Sequence, residues 1–181
     1  MRVWLRYAVA GFAGLLLGGG AAALSVRAAA FSGDEQIGPW VSGGDFGSAR
    51  GSARTRAIVA LTGLLALPAR EARYYTAARD DRDRWLDGRC RYRVSGGPMP
   101  GTWWSLTAYA DNYLIPNPAH LYSISSAQAG RGRWSAIVGP VPAPGLWIPT
   151  GGAKRFDLTL RVYLPSGTPA MPRIEQIGCG A

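Results

Sequence analysis

Gly101–Ser123 reads GTWWSLTAYADNYLIPNPAHLYS, and its patterning decides the fold. Residues Thr102 to Ala110 alternate with the period of a strand. Trp103, Ser105, Thr107 and Tyr109 fall on one face, and Trp104, Leu106 and Ala108 on the other. Ala110-Asp111-Asn112 reads as a turn, because Asp and Asn tolerate left-handed backbone. Tyr113-Leu114-Ile115 restarts an extended segment. Pro116 and Pro118 hold Ile115 and Asn117 out of helix, so Asn117-Pro118 is a second turn. Leu121–Ile124 is a further short strand. Two adjacent indoles on one strand point to opposite faces. One is expected in the core, and the other covers an edge or lines a groove. The stretch also carries the single histidine of the chain, His120. Trp103, Trp104, Tyr109, Tyr113, His120 and Tyr122 are therefore the candidate groove, with sugar stacking as the first ligand class to consider.

Working outward, Arg73–Arg79 is a strand, Asp80–Gly88 (DDRDRWLDG) a charged hairpin loop with local Arg–Asp pairs, and Arg89–Ser95 the returning strand. Trp134–Val138 is another strand. Leu146–Pro149 is expected at a sheet edge, since its proline cannot donate to a ladder. Phe156–Leu164 is the cleanest strand. It places Phe156, Leu158, Leu160, Val162 and Leu164 on one face and Asp157, Thr159, Arg161 and Tyr163 on the other, with Asp157 expected to pair with an arginine. Ile174–Ile177 is a last short strand. Short strands separated by Gly/Pro turns imply a mainly β domain, a jelly-roll-like antiparallel β-sandwich. Ser48–Leu67 has helical spacing in Ala53, Ala57, Ala60, Leu61, Leu64 and Leu65, with Ser48 or Ser52 as cap and Pro68 as stop. This helix is expected to pack on the sandwich.

WWSLTAY, NYLIPNPAHLYSI, LWIPTGG and FDLTLRVYLP, in this order, resemble the bacterial domain-of-unknown-function family DUF1214. LPAREARYYTAARDD and DGRCRYRVSGG fit its opening strands. The resemblance covers roughly Ala66 to Ile177. It implies a β-sandwich module and carries over no catalytic residue. Longer relatives pair the module with a second domain of unknown function.

Arg2 and Arg6 precede an almost uncharged run of Gly, Ala and Leu. Residues 3–24 are long enough to cross about 30 Å of hydrocarbon as a helix. Positive charge on the N-terminal flank keeps that end cytoplasmic. The expectation is a single-pass anchor in the bacterial inner membrane with the remainder in the periplasm. The alternative is cleavage near Ala30, where Ala28-Ala29-Ala30 offers small residues. The expected organisation is an anchor or signal segment over 1–30, a linker over 31–47, and the sandwich with its leading helix over 48–181. Formal net charge is +9 at pH 7, and setting aside Arg2, Arg6 and Arg27 leaves +6. A basic exported surface suits an anionic membrane or polymer. No nucleic-acid motif is present, and nucleic acid is not an expected partner.

The chemistry on offer is thin. Ser105, His120 and Asp111 are a nominal triad, but no G-x-S-x-G elbow frames the serine. Asp111, Asp157 and Glu175 are the nominal carboxylates for glycoside hydrolysis. One histidine and two cysteines fall short of a zinc shell, so no metal and no cofactor are expected. The two cysteines, Cys90 and Cys179, lie beyond the apolar run, and a disulfide between them is expected in an oxidising compartment. Free thiols and an intermolecular bridge are the alternatives. Three function classes remain open. They are a non-catalytic module binding a glycan or an envelope protein, an envelope hydrolase acting on glycan or lipid, and a structural accessory subunit.

Overall fold

The computed structural model describes residues 3–28, 35–42, 53–62 and 67–180. The apolar N-terminal run forms helix α1 (Val3–Ala28). Val3–Ser25 is long and apolar enough to cross a membrane, and none of it is buried against the rest of the chain. The remaining elements are β1 (Glu35–Ile37), β2 (Trp40–Ser42), α2 (Ala53–Thr62), β3 (Ala72–Ala77), β4 (Cys90–Gly96) and β5 (Trp103–Ala110). They continue as β6 (Tyr113–Leu114), β7 (Ser123–Ser125), the one-turn α3 (Ser126–Ala129), β8 (Trp134–Gly139), β9 (Leu146–Pro149), β10 (Asp157–Tyr163) and β11 (Arg173–Cys179).

Two sheets face each other. The larger runs β1-β2-β3-β10-β5-β6, with β7 also paired to β5, and the smaller runs β11-β4-β8-β9. Alternation dictates what lies between them. Trp104, Leu106 and Ala108 of β5 point inward, as do Leu158, Leu160 and Val162 of β10. Tyr92, Val94, Trp134, Ala136 and Val138 answer from the smaller sheet. Trp104 stacks on Trp134 with ring centroids 4.6 Å apart. Gly96 is required beneath that stack, because a Cβ there would lie 2.9 Å from the Trp134 ring. The result is mainly β and sandwich-like, with no closed barrel.

Several local readings change. β3 and β4 do not pair, although a hairpin was expected. β3 pairs with β2 and β10, and β4 with β11 and β8, so Asp80–Gly88 crosses between the sheets. Two anchors enforce the crossing. Leu86 is fully buried. The buried Asp80 carboxylate accepts from the backbone N–H of Arg82 (2.9 Å) and Arg84 (3.0 Å) and from the Arg84 guanidinium at 2.6 Å. Burial pushes this carboxyl up, but those hydrogen bonds outweigh it and hold Asp80 below its ordinary value. Local Arg–Asp pairing was anticipated, and Arg89 likewise holds Asp87 down at about 2.

β8 and β9 are parallel, the one exception to an antiparallel arrangement among the described strands. The proline-rich connection 140–145 carries the chain back alongside β8 instead of reversing it. The Trp147 indole N–H donates to the Gly139 carbonyl at 3.1 Å and ties the two strands. Leu164 leaves the buried face expected of it. It is 58 % exposed with φ +45°, because the strand has already ended at Tyr163.

Within the stretch read as linker, Glu35–Ser42 forms a hairpin on the edge of the larger sheet. Trp40 is fully buried there, and its indole N–H donates to the Pro172 carbonyl at 2.7 Å. α2 falls inside the helical stretch. None of its residues whose exposure is described is buried. The proposed caps Ser48 and Ser52, together with Ala29 and Ala30, lie outside the described residues. Cys90 and Cys179 stand opposite each other across β4 and β11, with Cα atoms 3.9 Å apart, and form the disulfide.

Candidate functional site

The two indoles of β5 separate as the strand period requires. Trp104 is 3 % exposed in the core, whereas Trp103 is 40 % exposed at the sheet end. Trp103 packs edge-on against Tyr163, its register partner on β10, at 5.3 Å between centroids. The outer ring surface is left free above a cleft of about 660 Å³. Its walls come from three segments far apart in sequence: Met99–Trp104, Ser126–Arg131 and Leu164–Ser166.

Each wall has a local cause. Gly101 lets the incoming chain pass against β10, since a Cβ there would lie 2.7 Å from the Tyr163 carbonyl oxygen and from Val162 Cγ1. Thr102 N–H then donates to that carbonyl at 3.0 Å. Ser125 caps α3. Its Oγ accepts from Ala127 N–H at 3.3 Å, and its own N–H donates to Gln128 Oε1 at 2.8 Å. Gly130 (φ +74°) ends the turn and delivers Arg131 to the rim. Leu164 is held by its N–H donating to the Glu71 carbonyl at 2.8 Å. Chemically the cleft offers one free aromatic face, hydroxyls from Thr102, Ser126 and Ser166, an exposed leucine, and the Arg131 guanidinium. Among the described residues Arg131 is assigned no carboxylate partner.

Of the six side chains proposed from the sequence, this cleft gathers Trp103 and Trp104. Tyr109 lies at the opposite end of β5, half-buried, where its hydroxyl accepts from Arg161 Nη2 at 2.7 Å. Tyr113 is 76 % exposed beyond the Asp111-Asn112 turn, whose two positive φ angles (51° and 67°) mark a type I′ hairpin. His120 is exposed with φ +51°, in a loop organised by Asn117. The Asn117 side chain donates to the Ile115 and Leu121 carbonyls and accepts from Leu121 N–H at 3.1 Å. Tyr122 is half-buried. Arg131, Leu164 and Ser166 were not singled out from the sequence.

The nominal triad does not assemble. Asp111 lies six positions beyond Ser105, just past the end of β5, about 20 Å along the strand. Glu175 lies on the other sheet, exposed and 3.6 Å from Arg93. Among the described residues Asp157 makes no ion pair with an arginine, contrary to expectation. Arg161, two residues along the same face, spends its guanidinium on Tyr109 and on Thr107 Oγ1 at 3.2 Å. Burial therefore pushes the Asp157 carboxyl up to about 7, with the Arg161 charge opposing only weakly. Between 3.8 and about 7 the folded chain keeps a proton that the unfolded chain has released, so stability falls as pH rises through that window. Asp157→Asn is expected to flatten this slope. Above the window it should stabilise by about 2 kcal/mol, less than the full shift because the side chain is partly solvated. Melting temperature against pH for both chains checks it, and parallel curves would refute it.

A second cleft of about 650 Å³ lies between the β1–β2 hairpin and the crossing loop. Its aromatic, Trp85, is 48 % exposed but already has Arg79 at 4.0 Å and Arg155 at 4.6 Å from its ring. Its acids are paired too: Asp80 with Arg84, Asp83 with Arg79, and Asp81 with Arg173. Of the exposed indoles in these two clefts, Trp103 is the one with no cation over its ring.

The profile of a family described as "Protein of unknown function (DUF1214)" matches residues 71–167. Among solved structures, the chain is similar to the VPA0106 protein from Vibrio parahaemolyticus. The TM-score is 0.55 at 22 % identity, over 72 % of this chain and 36 % of that one. It also matches an uncharacterized protein from Burkholderia cenocepacia at a TM-score of 0.42 and 22 % identity, covering 59 % of this chain and 29 % of that one. The chain thus spans about a third of the length of these structures. The first likeness shows a shared fold. No curated protein matches.

Proposed function

The chain belongs to the DUF1214 family, and from that premise we propose a membrane-tethered, non-catalytic binding module whose ligand lies in the Trp103 cleft. The single observation that carries this is the free indole face of Trp103, held on a sheet strand against Tyr163 over a cleft edged by hydroxyls. A flat apolar face with hydroxyls around it suits a saccharide ring, which stacks its C–H face and hydrogen-bonds its rim. An aromatic on a rigid strand loses little entropy on binding. The helix over Val3–Ser25 serves as the tether, and the arginines at its N-terminal end, Arg2 and Arg6, favour an outward-facing domain, in the periplasm of a bacterial envelope.

Trp103→Ala is expected to weaken binding of soluble N-acetylglucosamine oligosaccharides by about 2 kcal/mol, in the range of aromatic hot spots, with little change in melting temperature. Calorimetric titration of the detergent-solubilised chain reads the first, and thermal unfolding the second. A variant that melts earlier but binds as before would return Trp103 to a structural role.

A further inference from the structure

We propose that the Trp103 cleft takes an acidic saccharide, a pyranose stacked on the indole with its carboxylate held by Arg131. The inference rests on the binding reading above and adds the chemical class of the ring.

The charges around the cleft supply the first argument. Among the described residues that line it, Arg131 is the one that is ionised. It is exposed, and it forms no ion pair with a described carboxylate. Glu71 comes close along the backbone, since its carbonyl accepts from Leu164 N–H at 2.8 Å. Its carboxylate does not line the cleft and meets Arg70 at 3.3 Å. Arg133, two residues beyond Arg131, is exposed and adds charge of the same sign. The field over the cleft is therefore positive, which draws anions and repels an amino sugar bearing an ammonium. The Trp85 cleft makes the contrast. There Arg79, Arg84 and Arg173 are each answered by an aspartate of the same cleft wall. At Arg131 the protein supplies no such answer, and a ligand can.

The geometry of stacking supplies the second. Trp103 is fixed against its register partner Tyr163, with 5.3 Å between centroids, so the open face of the indole has a set orientation. A pyranose lying on that face by its C–H groups projects an equatorial C5 carboxylate from the ring edge, close to the ring plane. Rim groups meet it there, and the indole does not. The rim carries hydroxyls from Thr102, Ser126 and Ser166 together with Arg131. Of these, the guanidinium presents parallel N–H donors that match a planar carboxylate. One guanidinium also balances one negative charge. A phosphate monoester carries more than one at pH 7 and would leave the remainder unmet. The volume of about 660 Å³ suits a short run of rings.

The test titrates the detergent-solubilised full chain, disulfide intact, by calorimetry. Three tetrasaccharides are compared: one alternating N-acetylglucosamine with glucuronate, the carboxyl methyl ester of the same molecule, and the N-acetylglucosamine oligomer. The ester keeps every ring and removes the charge. The acid is expected to bind roughly fivefold tighter than the ester at low salt, the upper end for an exposed ion pair, with the margin shrinking at high salt. Arg131→Gln should erase the margin. Lys154→Gln removes the same unit of charge at an exposed position ahead of β10, away from the Trp103 end, and should keep it. Trp103→Ala should weaken acid and ester alike. Equal affinity for acid and ester overturns the proposal and leaves saccharide binding in the cleft standing. A margin that survives Arg131→Gln, or that Lys154→Gln also removes, overturns it in favour of net charge. Inorganic phosphate that binds as tightly as the acid, with or without Trp103, assigns the site to a free anion and overturns it. If none of the three saccharides binds, the binding reading falls and this inference with it.

Discussion

Reduction of the Cys90–Cys179 disulfide, or Cys90→Ser, is expected to destabilise the sandwich by about 4 kcal/mol, the chain-entropy value for a loop approaching a hundred residues. The bond spans a sequence separation of 89 and closes the last strand, β11, onto β4. β11 is an edge strand whose sheet partner is β4; its start is also held by Asp81, which exchanges hydrogen bonds with Ile174 at 3.0 and 3.1 Å, whereas its end has, besides the ladder and the disulfide, the contact of Gly180 N–H with the Arg89 carbonyl at 3.2 Å. Loss should therefore begin as fraying at the C-terminus before global unfolding. Hydrogen exchange along Arg173–Cys179 under reducing and non-reducing conditions reads the fraying, and melting temperature reads the total. Unchanged melting on reduction would show that the smaller sheet holds itself. The same bond reports on compartment. Chain taken from cells and alkylated under denaturing, non-reducing conditions should take up no label. Two labelled cysteines would place the domain in a reducing environment and remove the outward-facing topology.

Trp104→Ala is the second large effect, at about 4 kcal/mol, in the range for truncating a buried aromatic. For a domain of this size that corresponds to a fall in melting temperature of on the order of 15 °C. Trp104 is the larger sheet's half of the stack on Trp134, and the pair joins the two layers where β5 and β8 approach. Trp134 itself has a buried indole N–H without a partner. Trp134→Phe removes that unsatisfied donor along with some area, so it should cost distinctly less than Trp104→Ala. Comparable losses for the two would mean that the shared stack, and not the volume of Trp104, sets the stability. Trp103→Ala serves as the neighbouring control. Its indole stands outside the core, so it should leave the melting temperature nearly unchanged.

These two adjacent indoles show how much was legible beforehand. The alternation of Thr102–Ala110 assigns opposite faces to Trp103 and Trp104, because successive side chains of a strand project to opposite sides. The same period separates Leu158, Leu160 and Val162 from Asp157, Thr159 and Arg161. The spanning length of residues 3–24 and the pairing of the two available thiols follow from composition and position alone. Local period, apolar length and thiol count are properties of the chain before it folds.

The rest depended on contacts between residues distant in sequence. Asp80–Gly88 has every local mark of a hairpin, yet it passes between sheets because Leu86 is buried and β3 finds β10 rather than β4. β9 lies parallel to β8 because its connection runs back along the strand. The six-residue groove was drawn from sequence proximity, but 23 residues of strand and turn extend farther than any one cleft, so Tyr109, Tyr113 and His120 end far from Trp103. The cleft instead draws on segments near 100, 130 and 165, which meet only once β5 and β10 are paired. Asp157 keeps its raised carboxyl because Arg161 turns to Tyr109 across the strand, a choice made by the register of two strands roughly fifty residues apart. Register and layer packing are settled by burial summed over the whole sandwich, and no local stretch of sequence contains that sum.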